Sequence, residues 1–154
     1  MTDDPRTIRV DEFLPHPPSK VWVALTDSDL MAQWLMPNDF KLEIGHRFTF
    51  HTTPFPAVGF GGVGHSEVLD FEHERMLRIA WRAAPDDVSS LDSVVTFTLE
   101  PEGTGTRLFI VHDGFDPDDP YQALSRRIMG GGTAGGGWTG TARRISGVIE
   151  RALA

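Results

Sequence analysis

Cysteine is absent from this 154-residue chain, which removes disulfide frameworks, cysteine-ligated zinc and thiol nucleophiles from consideration. No apolar run approaches the roughly eighteen residues that a membrane-spanning helix requires. Basic residues are scarce as well: 14 Lys plus Arg stand against 22 Asp plus Glu, for a formal net charge of −8. They never gather beyond pairs such as Arg126-Arg127 and Arg143-Arg144. A phosphate backbone is repelled by such a chain, so no nucleic-acid partner is expected. The opening Met1-Thr2-Asp3-Asp4-Pro5 is acidic and lacks the basic and apolar regions of a secretory signal. A cytoplasmic location without membrane insertion is the expectation.

What is present is an ordinary folding composition. Hydrophobic residues make up 40% of the chain and charged residues 23%, which suits a globular protein. The length fits one domain, 1–154, with a single core.

Hydrophobic periodicity divides the chain into helical and extended stretches. Ile8 to Leu14 reads as a first strand, stopped by Pro15, Pro17 and Pro18. Ser19 occupies a helix N-cap position before Val21, Trp22 and Leu25. A second short helix starts near Asp27-Ser28-Asp29, carries Leu30, Met31, Trp34 and Leu35 at helical spacing, and ends at Pro37. From Phe40 to Phe115 the period becomes two: Phe48 and Phe50; Leu77, Ile79 and Trp81; Val95, Phe97 and Leu99; Leu108, Ile110 and His112. Alternation of this kind marks antiparallel strands with one buried face. Turn residues separate them at 72–75, 85–87 and 101–105. A short helical turn carries Tyr121, Leu124 and Ile128, and a glycine-rich stretch follows over 130–137. A last helix over about 138–152 presents Trp138, Ala142, Ile145, Val148 and Ile149 along one stripe. An open sheet needs a cover, and this helix is the only long one available.

Several short segments, in this order, resemble the SRPBCC or START-like superfamily, and within it the AHSA-type homologues of the heat-shock chaperone ATPase activator. They include Pro17-Pro18-Ser19-Lys20-Val21-Trp22, Gln33-Trp34-Leu35-Met36-Pro37 and Gly45-His46-Arg47-Phe48. Further on come Gly64 before Glu67-Val68, Leu77-Arg78-Ile79-Ala80-Trp81, Gly105-Thr106-Arg107-Leu108, His112-Asp113-Gly114-Phe115 and Gly137-Trp138. Each is weak singly; order and spacing carry the likeness along nearly the whole chain. The resemblance implies an α+β helix-grip fold. In it a curved antiparallel sheet wraps around a long C-terminal helix, with two short helices after the first strand. It also implies an internal cavity between sheet and C-terminal helix. The chaperone activators carry an additional N-terminal domain, so their activity is not expected to transfer.

The residues expected to line that cavity are Trp34, Phe48, Phe50, Trp81, Phe97, His112, Trp138 and Ile145. Large aromatics on inner faces commonly just fill a core; around a cavity, their indole N–H groups would orient a ligand. His112 shares its face with Leu108 and Ile110, so it points inward. It is then either a hydrogen-bonded core residue or a ligand contact able to shuttle a proton. Asp113 faces the other way and is a poor partner for it.

No metal is expected, because the six histidines form no i,i+2 pair on a strand and no i,i+4 pair on a helix. Two glycine patterns, at 59–64 and 130–135, match G-x-G-x-x-G but lack the strand–turn–helix context of a nucleotide site. No cofactor and no catalytic residue is assigned, and the acidic run Asp116, Asp118, Asp119 reads as a solvated turn. The expected function is binding of a small hydrophobic or aromatic molecule, such as a lipid, a polyketide-like compound or a related metabolite. The alternatives are a cyclase or hydrolase using the same cavity, with His112 as general base, and a chaperone-modulating interaction domain. A homodimer is compatible with each.

Overall fold

Strict alternation of apolar and polar side chains builds most of this protein, and the computed structural model describes residues 4–54, 56–58, 61–85, 87, 89–130 and 136–153. Six strands form one antiparallel sheet: β1 (Thr7–Leu14), β2 (Arg47–His51), β3 (Val63–Glu72), β4 (Met76–Arg82), β5 (Asp92–Glu102) and β6 (Gly105–Asp113). Their spatial order is β1-β6-β5-β4-β3-β2. The chain thus meanders from β2 to β6, and β1 closes the far edge. In β5 the inward residues Ser93, Val95, Phe97 and Leu99 are buried, while Thr96 and Thr98 between them are only half-buried. β6 repeats the pattern with Leu108, Ile110 and His112. Register pairs Phe97 with Ile110 and Val95 with His112, which lays these side chains side by side on one face.

Four helices complete the fold: α1 (Pro18–Thr26), α2 (Ser28–Trp34), α3 (Pro120–Met129) and α4 (Gly137–Ala152). α4 is amphipathic, and Trp138, Ala142, Ile145, Val148 and Ile149 are buried along one stripe. Fully burying each large apolar side chain contributes about 1.5–3 kcal/mol. The stripe therefore anchors α4 in the sheet's concave face, beside α1 and α2. The result is the helix-grip arrangement. Among the described residues no helix is long and apolar enough to cross a membrane.

Local expectations need three adjustments. α1 begins at Pro18, with Pro17 at the cap position and no side-chain cap bond, so Ser19 lies inside the first turn. Proline at the first helical position has its φ preset and no N–H to orphan, and it starts the helix earlier than a serine cap would. β5 continues through Glu102, leaving a tight hairpin at Gly103 (φ +60°) and Thr104. The acidic run is also more than solvated turn: Asp119 caps α3 by accepting from the Tyr121 N–H at 3.0 Å. Of the two glycine patterns, Gly61 and Gly62 lead into β3. Gly59, Phe60 and positions 131–135 lie outside the described residues.

A candidate ligand-binding cleft

The inner face of the sheet carries a continuous aromatic stack. Phe48 meets Phe50, and Phe50 meets Trp81, each with centroids 5.2 Å apart. Trp81 meets Trp138 at 5.5 Å, Trp138 meets Phe97 at 5.7 Å, and Phe97 meets Trp34 at 5.9 Å. Most of these contacts are edge-to-face, the arrangement the ring quadrupoles prefer. Trp34 is tied down further, since its indole N–H donates to the Ala24 carbonyl at 2.8 Å. Trp34, Phe48, Phe50, Phe97, Trp138 and Ile145 are at most 2% exposed. They fill the space between sheet and α4.

His112 sits in the middle of this stack, fully buried. Its Nδ1 accepts from the Trp138 indole N–H at 3.0 Å, and its Nε2 lies 2.8 Å from Ser93 Oγ. Ser93 Oγ–H in turn donates to the Trp81 carbonyl at 2.7 Å. One proton arrangement satisfies the whole chain: neutral His112 keeps its proton on Nε2 and gives it to Ser93 Oγ. Burial holds the imidazole pKa down to about 3, because a charge there would lose its hydration. Both ring nitrogens are engaged by protein groups. Ser93 was the silent member of this chain in the sequence. Its place two residues before Val95, on the buried face, was the available signal.

The open space lies elsewhere. An apolar cleft of about 330 Å³ runs between the sheet and α3. Its sheet side is formed by Phe50, Gly64, Trp81 and Arg82, and its helix side by Leu124, Ser125, Ile128 and Met129. Met36, Leu91, Tyr121, Thr52 and Thr53 complete its lining. Of the eight residues expected to line a cavity, Phe50 and Trp81 border this cleft, while the other six form the packed wall behind it. Gly64, Met36, Leu91 and the residues of α3 were not foreseen as lining. The Leu124 to Ile128 spacing of one helical face was their only signal.

Polar contacts hold the cleft's helical wall in place. The Tyr121 hydroxyl donates to Asp87 Oδ2 at 3.0 Å, and Asp87 Oδ1 accepts from the Gly61 N–H at 3.1 Å. Burial and the adjoining Asp87 carboxylate push the Tyr121 phenol above its ordinary pKa. Asp119 also receives Ser89 Oγ–H at 2.7 Å and the Gln122 amide at 3.0 Å. These hydrogen bonds hold its carboxyl below the usual value against the opposing effect of burial. One charged residue, Arg82, borders the cleft among the described residues. Its Nη1 donates to Glu67 at 3.0 Å and its Nε to Asp92 at 2.9 Å.

Residues 15–150 match the family model described as Activator of Hsp90 ATPase homolog 1-like protein. The structure is similar to MLL2253 from Mesorhizobium loti, with 37% identity, a TM-score of 0.76, and coverage of 97% of this chain and 100% of that one. BH1534 from Bacillus halodurans is 28% identical with a TM-score of 0.68, over 93% of this chain and 96% of its own. DynU16, a protein of the dynemicin biosynthetic locus, is 22% identical with a TM-score of 0.70. That match covers 97% of this chain and 48% of DynU16, and it is a likeness of fold. No curated protein matches the chain.

Proposed function

The chain belongs to the Activator of Hsp90 ATPase homolog 1-like family, and within that family we propose that it binds a small hydrophobic or aromatic molecule in the cleft between the sheet and α3. The observation that carries this reading is the apolar space itself, bounded by Phe50 and Trp81 on one side and by Leu124 and Ile128 on the other. Ligand sites of folded proteins are of this kind, concave and mostly apolar with a few polar groups at the margin. At about 30 Å³ for each water-sized atom, 330 Å³ has room for about ten non-hydrogen atoms. A ligand of that size lies against the indole face of Trp81. The saturated hydrogen bonds of His112 favour binding over turnover, because no ring nitrogen is left to take a proton from a substrate.

Gly64 provides the test. A Cβ built there would stand 3.8 Å from Phe50 Cβ, an ordinary contact, and the backbone needs no left-handed φ. Gly64→Leu should therefore fold and occupy the cleft that Gly64 borders. Titration with neutral 2-naphthol, which is of about that size, read by quenching of indole emission, should saturate at one site in the wild type. The variant should lose at least about tenfold in affinity, or about 1.4 kcal/mol. Equal binding by the two proteins would remove the cleft as the site.

A further inference from the structure

We propose that the indole N–H of Trp81 is the polar handle of the cleft, so that its ligand is an aromatic molecule bearing an acceptor oxygen. The inference rests on the reading of the cleft as a ligand site. Three indoles belong to the ring stack, and two of them are spent inside the protein. Trp34 donates to the Ala24 carbonyl, and Trp138 donates to His112 Nδ1. The third, Trp81, has no acceptor for its N–H among the described residues. Its nitrogen is not sealed in the core either, and the residue is half-buried where Trp34 and Trp138 are buried.

Strand alternation fixes where that N–H opens. Leu77, Ile79 and Trp81 share the inner face of β4, while Arg82 turns to the outer face to meet Glu67 and Asp92. The open space beside Trp81 on the inner face is the cleft. Phe50, His112 and Trp138 pack against the indole and hold its orientation, so the donor needs no ordering when a ligand arrives.

The other polar groups of the lining do less. The Tyr121 hydroxyl is already given to Asp87. Thr52 and Thr53 are exposed. Ser125 stands inside α3, where a hydroxyl can turn back to the carbonyl one turn earlier. An indole nitrogen donates and never accepts. A hydrocarbon that fills the cleft strips water from this N–H and returns nothing, which penalises its binding. A carbonyl or ether oxygen on the same ring system replaces the lost water. The ligand class that fits is therefore an aromatic ketone, aldehyde or ether.

Two small probes of matched shape test this: acetophenone, and isopropenylbenzene, which carries a methylene in place of the oxygen. Each is titrated into nitrogen-labelled protein and followed by nitrogen–proton correlation spectra. Backbone amide shifts give the affinities, and the indole cross-peaks report the donors directly. The Trp81 indole proton should lie further downfield with acetophenone than with isopropenylbenzene. The already paired indoles of Trp34 and Trp138 should not distinguish the two. In Trp81→Phe, checked for folding by circular dichroism, the smaller ring weakens both probes. Loss of the N–H should weaken acetophenone at least about fivefold more than isopropenylbenzene. The ratio is the readout because the hydrocarbon leaves water more readily than the ketone, which biases the raw affinities. An equal loss for the two probes, or one Trp81 indole shift in both complexes, would overturn the role of Trp81 and leave the cleft as a binding site. The wild-type spectra decide alone where the variant does not fold. If neither probe binds, or if Gly64→Leu binds both as tightly as the wild type, the cleft reading falls and this inference with it.

Discussion

Acid should weaken this protein earlier than its carboxylates can explain, through His112. In the unfolded chain the imidazole takes up a proton near the ordinary value of 6.5, whereas in the folded state burial holds the pKa to about 3. The folded-state value is depressed, so the stabilisation is complete above about pH 6.5 and drains away as pH falls toward the folded value. Within that window the unfolded state binds one more proton than the native state, and each pH unit costs about 1.4 kcal/mol. At pH 5, 1.5 units below 6.5, the loss is about 2 kcal/mol, a large part of a domain's net stability. Asp39 and Asp119 also have lowered pKa values, but their stabilisation is lost only below the carboxylate value of 3.8, outside this window. Urea unfolding at pH 7, 6 and 5 should show the midpoint falling with little change in slope. In the folded protein, nitrogen-resolved imidazole spectra should show His112 neutral at pH 5, with its proton on Nε2. A His112 ring that titrates near 6.5 in the folded protein, or stability that is flat from pH 7 to 5, would refute the saturated-chain argument.

Three further outcomes follow from named contacts. Trp138→Phe removes the donor to His112 Nδ1 and leaves a buried acceptor unpaired beside a smaller ring; urea denaturation should show a loss of about 2–4 kcal/mol. Tyr121 is the single tyrosine, so the absorbance change of phenol ionisation reports it alone. Its midpoint should lie above 10, and the associated stability, complete below 10, should fall as pH rises through the folded value. Gly105→Ala would bring a Cβ within 2.5 Å of the Leu14 carbonyl oxygen and 2.6 Å of the Phe13 ring. Thermal unfolding should then show a cost of about 1–3 kcal/mol, since the β1–β6 pairing leaves the backbone little room to retreat.

The inner faces of the sheet were legible because period two leaves each strand only one way to bury its apolar side. Val95, Phe97, Leu108, Ile110 and His112 all lie where alternation puts them. The α4 stripe was equally legible, being a single face repeated over four turns. The whereabouts of the empty space was not. Whether Trp34 and Trp138 border a void or touch other rings depends on how far α4 sinks into the sheet, which the sum of packed volumes decides and no local spacing records. The place of α3 is set by Asp87 and Ser89, loop residues that meet Tyr121 and the Asp119 cap from 34 and 30 positions away, with Gly61 in turn holding Asp87. Ser93 was readable as inward-facing. Its bond to His112 across two strands was not.

One wall of the cleft differs in kind from the other. Phe50 and Trp81 belong to the ring stack, so changing either disturbs Phe48 or Trp138 and, through Ser93, the His112 chain. Leu124, Ser125 and Ile128 stand on a ten-residue helix whose polar ties run through other residues, Asp119, Tyr121 and Gln122 at its start and Arg126, which donates to the Asp4 and Thr7 carbonyls. Those three cleft-side positions of α3 are therefore the part of the site that can be rewritten at little cost to folding. Divergence among relatives, and any effort to retarget the protein, should concentrate on those three positions, with the sheet retained as an unchanging floor.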